Sequence, residues 1–389
     1  MSKGLTVKII DVPMEKVVRN KVFWKNRDKL ISDIKTRMLF KLSLYNPKLI
    51  GISCYSTECD EARELIEDIR KMTQAKIIVG GIHPTLYPDD FKDIADYCYK
   101  GRLDNGYPDY SLVDMEYYTN ANPYAIRGVF LRCAYILASF GCPSQCTFCV
   151  AKRLREYFGR EQIKDPRALV KEILFLKDNY AIDGFYFIDD LYTLNKENVL
   201  EFCKLIKPTG FLWGCSSKVS TLNEEVIKAM SEANCIQIDF GVERGSDEAL
   251  KKLKKGQSIF QIKEVFKWCR KYGIRTFANF LVGLPEEDEQ DRKNIEQLIR
   301  EIQPTVISLN YFEPYQGTEI YDTGFRQTKS VSLERYIGKT QRKYNSLWTN
   351  LYFHFTWRYI RTILKSKRKG NYLKQLWILL QETINQQSA

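Results

Sequence analysis

The chain has 389 residues, 44% hydrophobic and 28% charged, with a net charge of +12. That length allows two or three domains with sizeable cores, and the balance is that of an ordinary globular protein, not a fibrous or disordered one. No run approaches the about eighteen uncharged apolar residues that a membrane-crossing helix needs, and the start lacks the apolar core of a signal peptide.

From the amino terminus, residues 5–10, 49–53 and 76–79 read as strands. Residues 61–72 carry Ala62, Leu65, Ile66 and Ile69 at helical spacing, which predicts a β–α–β unit. Residues 96–100 predict a fourth, edge strand. The expected fold here is a flavodoxin-like parallel α/β layer, which binds ligands at the carboxyl ends of its strands. Those ends are Ser53-Cys54-Tyr55 and Gly80-Gly81-Ile82-His83-Pro84-Thr85. His83 reads as a turn residue rather than a metal ligand. Residues 1–110 form this first domain and 111–127 a linker.

Beyond the linker, elements alternate at intervals suited to β/α units, which predicts a domain over 128–325. Strands are expected at 135–139, 184–188, 211–216, 236–242, 276–282 and 306–312. Helices are expected at 151–157, 168–179, 196–206, 223–232, 259–272 and 289–302. Six strands imply an open partial (β/α)6 TIM-like barrel, whose chemistry sits on the loops after the strands.

The loop after the first of these strands reads Gly141-Cys142-Pro143-Ser144-Gln145-Cys146-Thr147-Phe148-Cys149. Thiolates so spaced can converge on one metal or cluster, yet a closed structural zinc site wants a fourth ligand and the loop supplies none. Three buried apolar cysteines or an incomplete zinc set is the plainer alternative. Eleven cysteines without repeating spacing predict reduced thiols in a cytoplasmic protein.

The Cys-x-x-x-Cys-x-x-Cys loop resembles the signature of the radical S-adenosylmethionine (radical SAM) superfamily. The resemblance implies that Cys142, Cys146 and Cys149 hold a 4Fe–4S cluster, with SAM chelating the open iron. It places Phe148 near the adenine, and Asp189 and Asp190 at the SAM amino group, unless one of them caps the following helix. Lys218 would meet the SAM carboxylate, or stand as a solvated lysine. Glu243 and Arg244 lie where the family's Gly-x-Glu-Ser-Gly stretch meets the ribose or carboxylate, although Arg244 replaces the usual Ser and is able to pair with an acid instead. Val282 and Gly283, ahead of Leu284-Pro285, resemble the stretch lining the adenine, or form an ordinary turn. Glu313-Pro314-Tyr315-Gln316-Gly317-Thr318 resembles a loop of the same subgroup.

Residues 51–53 and 80–85 resemble the cobalamin-binding domain that precedes the barrel in one large radical SAM subgroup, which implies Ser53, Gly80 and Gly81 as cobalamin contacts. The domain is shortened, its first strand and helix expected to be missing, so a layer that binds nothing stands beside the cobalamin reading. The implied function is reductive SAM cleavage to a 5′-deoxyadenosyl radical for C–H activation, in cobalamin-assisted methyl transfer or in oxidation or cyclisation. The alternatives are a radical SAM enzyme without cobalamin and a non-catalytic cluster-binding relative. A flavodoxin or ferredoxin would deliver the electron to the cluster, and the substrate would be a small molecule or lipid. No catalytic side chain is singled out.

Between Arg326 and Lys369 twelve Lys or Arg face one acid, Glu334, so nearly all the excess charge sits in a helical extension over 326–389. Its aromatic residues (Trp348, Tyr352, Phe353, Phe355, Trp357, Tyr359) and basic run predict either a helical appendage packed on the barrel, which is preferred, or peripheral contact with anionic lipid. No RNA-binding motif accompanies the charge, which argues against nucleic acid.

Overall fold

β-Branched and apolar runs bounded by glycines and helix-capping residues build two compact units, covering 1–114 with 156–159, and 115–155 with 160–389. The computed structural model describes residues 7–10, 27–101, 108–119, 122–126, 129–325, 360–362 and 364. Among the described residues, no helix is long and apolar enough to cross a membrane.

The first unit opens on helix α1 (Arg27–Tyr45), followed by β1 (Leu49–Ser53), α2 (Cys59–Met72), β2 (Lys76–Gly80) and a two-residue edge strand β3 (Tyr97–Cys98). The three strands are parallel in the order β1-β2-β3. Ile66, Ile69, Ile77, Val79 and Phe91 form the core, and Leu39 and Leu42 of α1 pack on it. Two expectations change. Residues 7–10 carry no regular structure, so no strand forms over the described part of 5–10. A helix lies ahead of β1 where none was expected, because its stretch shows little apolar periodicity and, among its described side chains, Met38 alone is buried.

The expected linker is structured. It carries a helix at Met115–Tyr118 and a hairpin of Asn122–Ile126 with Val129–Leu131. Buried Arg132 explains this order: its guanidinium donates to Glu116, Thr119 and the carbonyl of Tyr180, clamping the segment to the barrel floor.

The second unit is a six-stranded parallel sheet in sequential order, β4 (Cys133–Ile136), β5 (Gly184–Phe187), β6 (Leu212–Ser217), β7 (Cys235–Glu243), β8 (Arg275–Val282) and β9 (Val306–Tyr311). β4 and β9 do not pair, so the barrel stays open. β4 begins two residues before the expected strand, and it stops at Ile136 because Ser139–Phe140 turns away to pair antiparallel with Gln162–Ile163. The helices are α3 (Ala151–Phe158), α4 (Pro166–Tyr180), α5 (Lys196–Ile206), α6 (Glu224–Glu232), α7 (Asp247–Lys252), α8 (Ile259–Lys271) and α9 (Glu289–Ile302). Their starts are fixed by side-chain caps, including Asp165, Asn195, Asn223 and the Ser258–Gln261 capping box. An aromatic core of Phe185, Phe187, Tyr192, Phe202 and Trp213 joins β5 and β6 to α5. The basic, aromatic extension lies outside the described residues, apart from the helical positions 360–362 and 364.

Candidate functional site

The cysteine loop leaves the carboxyl end of β4 through Gly141, whose φ of 88 only glycine adopts freely. Its tip is tied down twice: the Thr147 amide donates to Leu253 O at 3.1 Å, and the Ile320 amide donates to Thr147 O at 3.1 Å. Cys146 is buried, Cys142 and Cys149 half-buried. Burial raises the pKa of Cys146, an effect opposed by Lys255 and Lys218. Burial pushes Cys149 up to about 11, and Cys146 and Cys142 push the same way. The three thiols thus share one electrostatic neighbourhood. Among the described residues, however, the donor atoms that all fall within 4.8 Å of one another are those of Cys59, His83 and Asp90. The three loop thiols do not all fall within that distance of one another. Iron charge would also reverse the cost of ionising them.

Around this loop gather the carboxyl ends of the strands. Asp189 after β5 accepts the Ala138 amide at 2.8 Å and the Ser139 hydroxyl at 2.5 Å. Burial outweighs these bonds and raises its pKa to about 6. Exposed Asp190 accepts the Gly141 amide at 3.2 Å. Neither caps the following helix, α5, which Asn195 caps instead. Lys218, half-buried after β6, donates to Ser144 Oγ in the loop at 3.1 Å. Burial and then Lys255 lower its pKa, Cys146 and Cys142 acting in the opposite sense, and no carboxylate is among the causes.

β7 ends in a bulge, its register with β8 shifting between Gly241 and Glu243. Glu243 has a φ of 67, a left-handed conformation that costs a non-glycine residue energy. What holds it is Lys255, whose ammonium donates to Glu243 Oε1 at 2.7 Å and lies 5.6 Å from the centre of the Phe148 ring. The Gln257 amide donates to Gly241 O and Val242 O and braces the same bulge. Phe148 itself packs against the cluster of Leu253, Leu284, Phe312 and Ile320.

Arg244 turns elsewhere. It is buried, donates to Leu281 O at 3.0 Å and pairs with Glu287 at 2.8 Å and Asp291 at 3.0 Å. Glu287 in turn accepts the Gly283 amide at 2.7 Å. Arg244 therefore fixes the turn after buried Val282, and its charge is committed to acids.

Lys255 is the site residue that sequence reasoning missed. It lies in the run Lys251-Lys252-Leu253-Lys254-Lys255, which reads as a solvated basic helix end. The signal was the helix stop. Lys254 takes a φ of 50, and the Lys254 and Lys255 amides donate back to Lys251 O and Leu250 O, a Schellman cap that swings Lys255 off the helix axis and inward.

In the first unit, Gly81 has a φ of 103 and lies so close to Cys54 that a Cβ would meet its carbonyl oxygen at 2.8 Å. The ends of β1 and β2 therefore form one bare backbone edge, with Ser53 and Tyr55 exposed on it. Such an edge suits a large planar ligand laid over strand ends. His83 is engaged through both ring nitrogens, at 3.0 Å from Ser56 Oγ and 3.0 Å from Asp90 Oδ2.

Residues 136–299 match the radical SAM superfamily, and residues 28–109 match the B12 binding domain. The chain is a radical SAM enzyme with a B12-binding domain ahead of its barrel. Its cofactors are a 4Fe–4S cluster, SAM and cobalamin. The radical SAM chain is 23% identical over 382 residues to an uncharacterised methyltransferase of Pyrococcus horikoshii, covering 85% of this chain and 80% of that one. It is 27% identical over 201 residues to the anaerobic magnesium-protoporphyrin IX monomethyl ester cyclase of Rubrivivax gelatinosus, covering 50% of this chain and 36% of the cyclase. The radical SAM methyltransferase TsrM of Kitasatospora setae, solved with cobalamin and a [4Fe-4S] cluster, shares the fold with a TM-score of 0.61 at 18% identity, over 77% of this chain and 69% of TsrM. The helix α1 and the B12-binding match from residue 28 correct the expectation of a domain without a leading helix.

Proposed function

We propose that this enzyme uses cobalamin to methylate an unactivated carbon of a small molecule. The observation that carries the reading is the joint presence, in one chain, of the cysteine loop and the bare Gly81 strand edge. Bound there, the cofactors supply one-electron cleavage of the SAM sulfonium and a transferable methyl group.

The chain's own residues bind and orient. Cys142, Cys146 and Cys149 hold the cluster at three corners. Lys218, with no acid among the causes of its shifted pKa, receives the SAM carboxylate, and exposed Asp190 receives the amino group. Asp189 holds the loop through Ala138 and Ser139 rather than touching SAM. Phe148, Val282 and Gly283 flank the adenine, with Glu243 at the ribose. Ser53, Gly80 and Gly81 form the cobalamin edge. A low-potential flavodoxin or ferredoxin in the cytoplasm is the electron source, consistent with eleven unpaired cysteines. Oxidative ring closure is the second reading, supported by the match to the cyclase of Rubrivivax gelatinosus.

The test is anaerobic incubation of the reconstituted full chain with SAM and a strong reductant. Formation of 5′-deoxyadenosine together with cobalamin retained through gel filtration supports the proposal. Cleavage without retained cobalamin would remove the methyl-transfer reading, and neither result would leave a cluster-binding protein without catalysis.

A further inference from the structure

We infer that Lys255 is a fixed positive charge that raises the reduction potential of the cluster held by Cys142, Cys146 and Cys149, with Glu243 pinning its ammonium in place. The inference rests on the cluster reading above and adds a role that the loop cysteines do not fill.

A nearly buried ammonium demands an explanation, because burial alone disfavours its charge. Lys255 is 9% exposed and remains charged because Glu243 accepts its proton-bearing nitrogen at 2.7 Å. The ion pair is oriented. Lys255 reaches over Phe148, the residue directly before Cys149, and acts on the Cys146 thiol more strongly than Glu243 does. The cluster therefore faces the positive end of a dipole in a poorly screened interior. The position is built, not incidental: the Schellman cap aims Lys255 inward, and the left-handed Glu243 is strained to meet it. Lys218 is the neighbouring cation, but it is half-exposed and, among the described residues, donates to a hydroxyl of the loop rather than to a carboxylate.

Reduction moves one electron from a low-potential one-electron donor to the cluster, leaving the donor oxidised and the cluster one charge more negative. A fixed cation stabilises that product over the oxidised state. Lys255 is thus a positioning and tuning residue, touching neither substrate nor reacting carbon.

The experiment is a potentiometric titration of the reconstituted full chain without SAM, followed by the electron paramagnetic resonance of the reduced cluster. Lys255→Met, with wild-type iron content, should have a more negative midpoint, and Lys255→Arg should return it toward wild type. An unchanged midpoint in Lys255→Met, or an equal fall in Lys255→Arg, overturns the inference. Should Lys255→Met load no cluster, Lys255→Gln, which keeps a polar partner for Glu243, decides: its midpoint must lie below that of wild type, and a rise or no change sinks the idea. A wild-type chain that binds no iron would instead defeat the functional reading itself.

Discussion

Replacing Arg244 by Met tests whether this arginine braces the barrel instead of binding SAM. Its side chain is 3% exposed and its main partner Glu287 6% exposed, with Asp291 at 22%. Removing one partner of a buried pair leaves an uncompensated charge and costs about 3–5 kcal/mol. Glu287 would keep its bonds from the Gly283 and Leu284 amides, and Arg292 stands 3.8 Å away, so the lower end, about 3 kcal/mol, applies. The double variant Arg244→Met with Glu287→Gln removes the orphan charge and should regain at least about 1 kcal/mol of that loss. Urea unfolding followed by circular dichroism, at matched iron content, reads both numbers. A loss below about 1 kcal/mol in the single variant, or strictly additive losses in the double, would refute the reasoning.

Three further outcomes follow from named contacts. Gly245→Ala should destabilise the barrel by about 3 kcal/mol or more in the same unfolding assay, since an added methyl would overlap the α9 backbone at Asn294 and Ile295. Gly81→Ala should weaken cobalamin retention at least about tenfold, through left-handed strain and the clash with Cys54, while iron content stays constant. Asp189 has its pKa raised by burial to about 6, above the unfolded value, so its neutral form is the one that folding favours. That contribution is fully present below about pH 4 and is lost as pH rises to about 6, a change of up to about 3 kcal/mol. Asp189→Asn should flatten that portion of the stability–pH curve, and an unchanged slope between those values would contradict the assignment.

What could be read in the sequence was what is encoded locally. The cysteine loop is nine consecutive residues, and the apolar runs of β5 to β9 carry their own periodicity, so both the loop and the barrel strands were legible. The helix α1 was not, because its stretch gives little amphipathic signal, Met38 alone being buried among its described side chains. Arg244 was ambiguous because its partner Glu287 lies 43 residues away in sequence. Lys255 was hidden for a related reason. Four lysines stand within five positions, and only the left-handed turn at Lys254 separates the buried one from the solvated ones. The helix-cap reading of Asp189 and Asp190 gave way because Asn195, a few residues on, takes the cap, and the two acids hold the cysteine loop instead.

The measurement closest to the central claim is cofactor content after anaerobic reconstitution, by iron and zinc analysis, absorbance and cobalamin titration. The account predicts about four irons per chain, lost on changing Cys142, Cys146 or Cys149 to Ala, with cobalamin bound alongside and independent of those changes. Zinc bound at the loop in place of iron would contradict it.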